Sequence, residues 1–429
     1  MLLSDSAAKA ILGVLLALLV LTPVCAQNID ELKQRAGNGD TAAMVSLGLK
    51  YWKGSAEIKQ DYAEALKWTR LAAEKGDADA MNGLGMMYVE GKGVPQDYAE
   101  AAKWFRRAAD KGETNAMVSL STLYWQGAGV PHNDEEAKKW LRLATTKDND
   151  FAMWELGITY QQAGIHKHGR DAAQDYVEAL KWFRLAANKG NTRAMNDLGQ
   201  MYESGWGVRQ DLVEAAKWFR LAADNGDAFD MGKLGWMYEA GDGVPKSDAE
   251  AAKWYKLAAE KSDPSASMDI ARMYREGKGV PQDYAEAMKW YRLAADKGYS
   301  DAMICVADMY RAGQGVARDD AQAVQWYMRA IEKLDQQAAF RLGLMYLKGD
   351  GVHQDDAEAY FWLSLAAFNN PFEKYAQARD QTKARLAPSR VAEVDKRVRN
   401  WIDAHHDPQS CGGGLPGPCE QPTVTTPAH

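Results

Sequence analysis

Residues 80–112 read AMNGLGMMYVEGKGVPQDYAEAAKWFRRAADKG, and the spacings inside this stretch decide the fold. Met81, Leu84, Gly85 and Tyr88 fall at i, i+3, i+4 and i+7, the apolar stripe of an amphipathic helix. Gly91-Lys92-Gly93-Val94 makes a tight turn after it. Asp97, followed three residues on by Glu100, has the capping-box arrangement that opens a second helix, where two side chains satisfy backbone N–H groups left unpaired at a helix start. Ala101 and Ala108 lie two turns apart on one face of that helix and leave room for a neighbour. Gly112 then supplies a left-handed C-cap. The stretch reads as two helices joined by a short turn.

The same pattern recurs along most of the chain. Trp68, Trp104, Trp140, Trp182, Trp218, Trp254, Trp290, Trp326 and Trp362 are spaced by 36 residues except for one interval of 42. A tyrosine column keeps the same register from Tyr51 to Tyr346, and six extra residues fall in the fourth unit between Tyr160 and Trp182. Nine units of this kind occupy residues 38–368. Each second helix has its own cap pair, among them Asp61/Glu64, Asn133/Glu136, Asp175/Glu178, Asp211/Glu214, Ser247/Glu250 and Asp355/Glu358. Residues 27–37 read as an N-terminal lead-in. Residues 369–406 read as two charged helices broken at Pro388, able to close the last apolar face of the array. The Gly, Pro, Ser and Thr of 407–429 read as a disordered tail.

In its repeat pattern the chain resembles the Sel1-like repeat family, a relative of the tetratricopeptide repeat, and the resemblance covers all nine units. It implies an all-α, right-handed α-solenoid of nine antiparallel helix-pair repeats with a C-terminal helical cap. It also implies an adaptor or scaffold that binds other proteins. Some cysteine-rich secreted members of the family bind or hydrolyse β-lactams and carry a cysteine pair in each repeat. This chain has 4 cysteines in all. Its one Ser-x-x-Lys, Ser6 to Lys9, lies in a segment expected to be removed. The expectation is a protein with no catalytic residues, not an enzyme.

The 429 residues carry 52 basic and 59 acidic side chains, a formal net charge of -7, and no long basic run. That balance argues against a nucleic-acid binder working by phosphate neutralisation. Lys9 followed by the apolar run from Ile11 to Leu21 reads as the core of an export signal, too short to span a bilayer. Cleavage is placed between Ala26 and Gln27, giving a signal peptide over 1–26, with lipidation of Cys25 as the other reading. A periplasmic or secreted location follows, with no membrane span after cleavage. In such a compartment Cys411 and Cys419, which bracket a Gly/Pro loop, are placed to form a local disulfide.

The search for chemistry returns little. The recurring Asp/Glu pairs read as helix caps rather than acid–base partners, and the turns lack the strand-before context of a dinucleotide site. No cofactor is implied. His166 and His168 in the insertion have the spacing of a weak metal site, but read better as part of a solvated loop, and no metal site is assigned.

A binding surface remains. In tetratricopeptide-like solenoids the first helix of each unit lines the concave face, and its variable positions lie one, two and five residues after the methionine column. These positions make Trp154, Glu155, Asn196, Asp197, Gln200, Lys233, Trp236, Arg272 and Asp308 the candidate partner-binding residues. Trp and Arg are over-represented among interface hot spots, which favours Trp154, Trp236 and Arg272. Trp206, in a Gly-Trp-Gly-Val turn, marks a second edge or folds back onto the array. The function expected is a scaffold holding a protein of the cell envelope. The alternatives are binding of a cell-wall polymer or polysaccharide, where aromatic faces stack on sugars, and a β-lactamase-like hydrolase.

Overall fold

The computed structural model describes residues 29–54, 58–165 and 170–405. Among them are twenty-one α-helices and no strand. The fold is an all-α array of nine helix-pair repeats of the solenoid class. The segment 1–26 read as an export signal, Cys411, Cys419, the tail from 407, and His166 with His168 lie outside the described residues. The chain divides into two compact units, the first ending at Gln210 and the second beginning at Asp211.

In both units the regular helices are short for the same local reasons. First helices such as Ala78–Glu90 and Ala228–Ala240 run for 13 residues and stop at a glycine in the left-handed region, Gly91 and Gly241. Asp61, Asp97, Asn133, Asp211, Ser247, Asp283, Asp319 and Asp355 each accept a backbone N–H of the second helix they open. The capping box is only half formed. The backbone N–H of Asp97 goes to the carbonyl of Tyr88 at 3.0 Å, so Glu100 is released to pair with Lys103. Second helices end at a left-handed residue, which is Gly76 (φ 96) and Gly112 (φ 90) in the first two repeats and Asp148 and Ser262 where the sequence has no glycine.

The turn glycines also fix the spacing between repeats. A Cβ on Gly93 would stand 2.4 Å from the carbonyl oxygen of Tyr62, which belongs to the second helix of the preceding repeat. No side chain fits between the turn and that helix. Inside the first repeats of the array, Gly85 gives way to the ring of Phe105, 2.5 Å from where a Cβ would lie. The rest of each repeat is closed by alanine and leucine: Ala101, Ala108, Leu84 and their counterparts are fully buried.

The first unit opens with a helix, Ile29–Gly37, inside the stretch read as a lead-in. Leu32 and Ala36 bury themselves against Thr41–Lys53, and Arg35 bonds Asp40, so this helix covers the first apolar face. The fourth repeat departs from the sequence reading. Its helices are Asp150–Ile165 and Arg170–Asn188, 16 and 19 residues long. Both helices are therefore longer than the 13-residue helices of the regular repeats. Ala163 and Ile165 stand where other repeats have the two turn glycines, so nothing halts the first helix on schedule. For the same reason Asp175 does not cap a helix start. It lies within the second helix and is 9% exposed.

The second unit ends in the helices Glu373–Lys383 and Pro388–His405, which pack on Asp356–Ala366. Pro388 occupies the first helical position, where its missing N–H costs nothing. Tyr360 donates to Asp395 at 2.8 Å and Arg397 grips Glu358 at 2.6 and 3.1 Å. Tyr375 lies on Phe340 with ring centroids 4.5 Å apart, and Val394 is fully buried.

Candidate binding groove

Within the second unit, the helices Ala228–Ala240 and Pro264–Glu276 open neighbouring repeats and flank a groove of about 630 Å³. Phe229, Lys233 and Trp236 recur at i, i+4 and i+7 along the first of them, which puts all three on one stripe. Phe229 is 60% exposed and Trp236 46%. The Lys233 ammonium sits 4.8 Å from the centre of the Trp236 ring.

An ionic network crosses the groove. Arg272 gives two hydrogen bonds to Glu239, at 3.0 and 2.8 Å, and one to Asp269 at 3.2 Å. Lys278 adds a bond to Glu239 at 2.7 Å, and the Tyr255 hydroxyl donates to the same carboxylate at 3.2 Å. The Arg272 bonds, helped by Lys278, hold the Glu239 carboxyl down at about 2. Burial pushes the Asp269 carboxyl and the Tyr255 hydroxyl up. Glu239 is thus a fixed anion joining two repeats and the turn beyond them.

A second cluster lies in the first unit, between the first helices of the fourth and fifth repeats. Trp154 donates its indole N–H to Asp197 at 2.6 Å. Arg193 lies 5.1 Å over the Trp154 ring and 6.0 Å over Phe151. Burial, only partly opposed by Arg193, pushes the Glu155 carboxyl up to about 7. Burial also raises Asp197 to about 6, against the opposing effects of the Trp154 bond and Arg193. Gln200 donates to Asn196.

Of the nine residues singled out from sequence, Lys233, Trp236 and Arg272 line one groove, and Arg272 is held there by carboxylates of its own chain. Trp154 and Asp197 bond each other. Asp308 is taken by Arg341 and by the Tyr327 hydroxyl. Trp206 lies on Tyr176, rings 5.8 Å apart and nearly parallel, with 36% of its surface still exposed. Among the described residues no group of three or more His, Cys, Asp or Glu is placed to hold a metal ion, and no helix is long and apolar enough to cross a membrane.

Sequence reasoning missed Phe229 and Arg193, both two residues before the methionine column, and Glu239, eight after it. The signal was present, since those columns also vary between repeats. It missed a recurring clasp as well. Arg70 donates to the Tyr88 hydroxyl at 3.0 Å, and Arg106, Arg142 and Arg184 reach Tyr124, Tyr160 and Tyr202 in the same way, each 18 residues on. In the second unit Arg220 and Arg292 repeat it with Tyr238 and Tyr310. Arginine two residues after the tryptophan was the available clue.

A family model described as the Sel1 repeat matches nine segments: 41–77, 78–113, 114–149, 150–191, 192–227, 229–263, 264–299, 300–333 and 336–367. The crystal structure of a Sel1 repeat protein from Oxalobacter formigenes is 29% identical, with a TM-score of 0.58, over 77% of this chain and 99% of that one. A protective antigen of uropathogenic Escherichia coli, c5321, is 28% identical over 88% of this chain and 95% of its own, with a TM-score of 0.46. Among curated proteins, the ERAD-associated E3 ubiquitin-protein ligase component HRD3A of Arabidopsis thaliana is 33% identical over 67 residues. That match spans 16% of this chain and 10% of the relative.

Proposed function

The chain belongs to the Sel1 repeat family, and from that premise we propose that it is a protein-binding scaffold whose partner docks in the groove between Ala228–Ala240 and Pro264–Glu276. The observation that carries this reading is the pair of rings, Phe229 and Trp236, left open to solvent beside a wall whose charges are already neutralised. Exposed aromatic side chains beside satisfied polar groups gain by burial and cost little to desolvate. No catalytic step is part of the proposal. Export to the periplasm or the exterior, with a partner in the cell envelope, is proposed from the apolar segment before Ala26.

Crosslinking capture from an envelope extract, with the full chain as bait, tests the reading. Recovery of one or two proteins, lost when Phe229 and Trp236 are both changed to Ala in a chain that melts as before, is the expected result. Arg272 is a poor choice for this test, because a carboxylate placed there would face Glu239 and Asp269. Undiminished capture by the folded double variant would refute the groove. The exposed rings also suit a polysaccharide strand, so co-sedimentation with purified cell-wall polymer is run alongside. Binding of polymer, with no protein recovered, would replace the scaffold by that rival.

A further inference from the structure

Gly232 lies in the middle of the helix Ala228–Ala240, and its surroundings do not require glycine. A Cβ built there meets no atom within 4 Å. Its backbone is ordinary right-handed helix, outside the set of positive-φ glycines. Gly235, one turn on, is different, since a Cβ there would be 2.6 Å from the Tyr255 ring. Glycine weakens a helix interior relative to alanine. The eight other repeats carry a side chain at this register, among them Val45, Trp154, Met268 and Phe340. The array thus accepts a local loss of helix stability at a position where packing asks for none.

The missing side chain leaves a notch between Phe229 and Trp236, which stand one turn to either side on the same stripe. The groove has three cations on its lining (Lys233, Arg272, Lys278) and three carboxylates (Glu239, Asp263, Asp269). Asp263 is occupied in capping the following helix through Ala266, at 2.8 Å, and Glu239 is shared between Arg272 and Lys278. The charges sum to zero, so a charged occupant gains no net attraction and would still lose its hydration. The complement of such a wall is neutral, with amide groups able to exchange hydrogen bonds at its edge.

We propose that Gly232 is the specificity-determining residue of this groove, and that the notch takes a large uncharged side chain, Leu, Phe or Trp, from an extended peptide segment of the bound protein. This rests on the scaffold reading and narrows it.

The probes are the peptides acetyl-Gly-Ser-Xaa-Ser-Gly-amide with Xaa Leu, Phe, Trp, Ala, Glu or Lys. Binding to the full chain is followed by fluorine NMR after 5-fluorotryptophan labelling, with the Trp236 resonance assigned by Trp236→Phe. Leu, Phe and Trp are expected to bind at least tenfold more tightly than Ala, and Glu and Lys no better than Ala. Gly232→Leu, which has open space around its Cβ, is expected to abolish the tenfold preference with the melting temperature unchanged or higher. Equal binding of all six peptides, tightest binding of Lys or Glu, or a preference that survives in folded Gly232→Leu would each overturn the proposal. A Trp236 response to protein concentration alone would make the occupant a second copy and overturn it too. Protein capture that Phe229/Trp236 substitution abolishes but Gly232→Leu leaves intact would sink this inference and keep the scaffold. A Trp236 response to cell-wall oligosaccharide and to none of the peptides would remove both.

Discussion

Replacing Glu155 with Gln should stabilise the first unit at alkaline pH and do much less near pH 5. The Glu155 carboxyl is raised from 4.5 to about 7, by burial first, with Arg193 pulling the other way. In the folded state its ionised form is the disfavoured one. Below 4.5 the group is neutral whether the chain is folded or not, and no penalty exists. Between 4.5 and about 7 the unfolded chain releases the proton while the folded chain keeps it, so stability falls as pH rises. Above about 7 the penalty is complete. At roughly 1.4 kcal/mol per tenfold it reaches about 3 kcal/mol as an upper figure. Glutamine has the same shape and no charge to bury. Urea unfolding of the full chain and of Glu155→Gln, at half-unit steps from pH 5 to 8.5, reads the difference directly. The gain should grow from about 0.8 kcal/mol at pH 5 to about 3 kcal/mol at pH 8. Arg193→Ala, by removing the opposing attraction, should leave the onset of the loss near 4.5, carry its completion to higher pH and deepen it. A gain from Glu155→Gln that is the same at every pH, or a loss at pH 8, would refute the reasoning.

Glycine substitutions should separate by sign. Gly93→Ala combines φ 76 with a Cβ 2.4 Å from Tyr62 and should cost about 3 kcal/mol. Gly112→Ala, at φ 90 with nothing within 4 Å, should cost about 1 kcal/mol, and Gly232→Ala should gain about 0.5–1 kcal/mol. All three are read from urea midpoints. Arg220→Ala removes a charged hydrogen bond to Tyr238 and a stack 5.2 Å over Trp254, and should cost about 1–2 kcal/mol in the same assay. Glu239→Gln should destabilise the second unit at pH 7 by about 1–2 kcal/mol, less than the full shift because the pair is partly solvated. Its carboxyl is lowered from 4.5 to about 2, so the stabilisation it provides is present above 4.5 and fades as pH falls toward 2, and the variant and wild type should converge there.

The fold was legible because its decisive residues obey local rules that repeat. Tryptophan recurs at intervals of 36, and a cap residue before most second helices and a glycine after many of them meet backbone requirements, each often enough to exclude chance. The fourth repeat was misread where a local rule was absent. Without glycines at 163 and 165 the first helix has no stop signal, both helices run long, and Asp175 falls inside the second one instead of capping it. The Arg–Tyr clasp was missed for another reason. It joins residues 18 apart on different helices, and one-helix periodicity does not reveal which arginine faces which tyrosine.

The groove was legible only in part, for a reason that also ranks its residues. Variation from repeat to repeat at the first-helix positions was taken as freedom from packing. Yet Trp154 pairs with Asp197, Asp308 with Arg341, and Arg272 with Glu239, so several of these variable residues are held by polar partners in adjacent repeats. A residue held in this way is accounted for by its neighbours, whether or not it touches a partner. The distinguishing feature is a side chain that the adjacent repeat leaves uncovered. Among the candidates named from sequence, Trp236 is the one that stays largely exposed, and Phe229 joins it on the same stripe with Gly232 between them. Arg272 and Glu239 then belong to the structure of the groove wall. On the proposal made here, the discriminating contact with a partner falls to the two rings and the glycine that separates them.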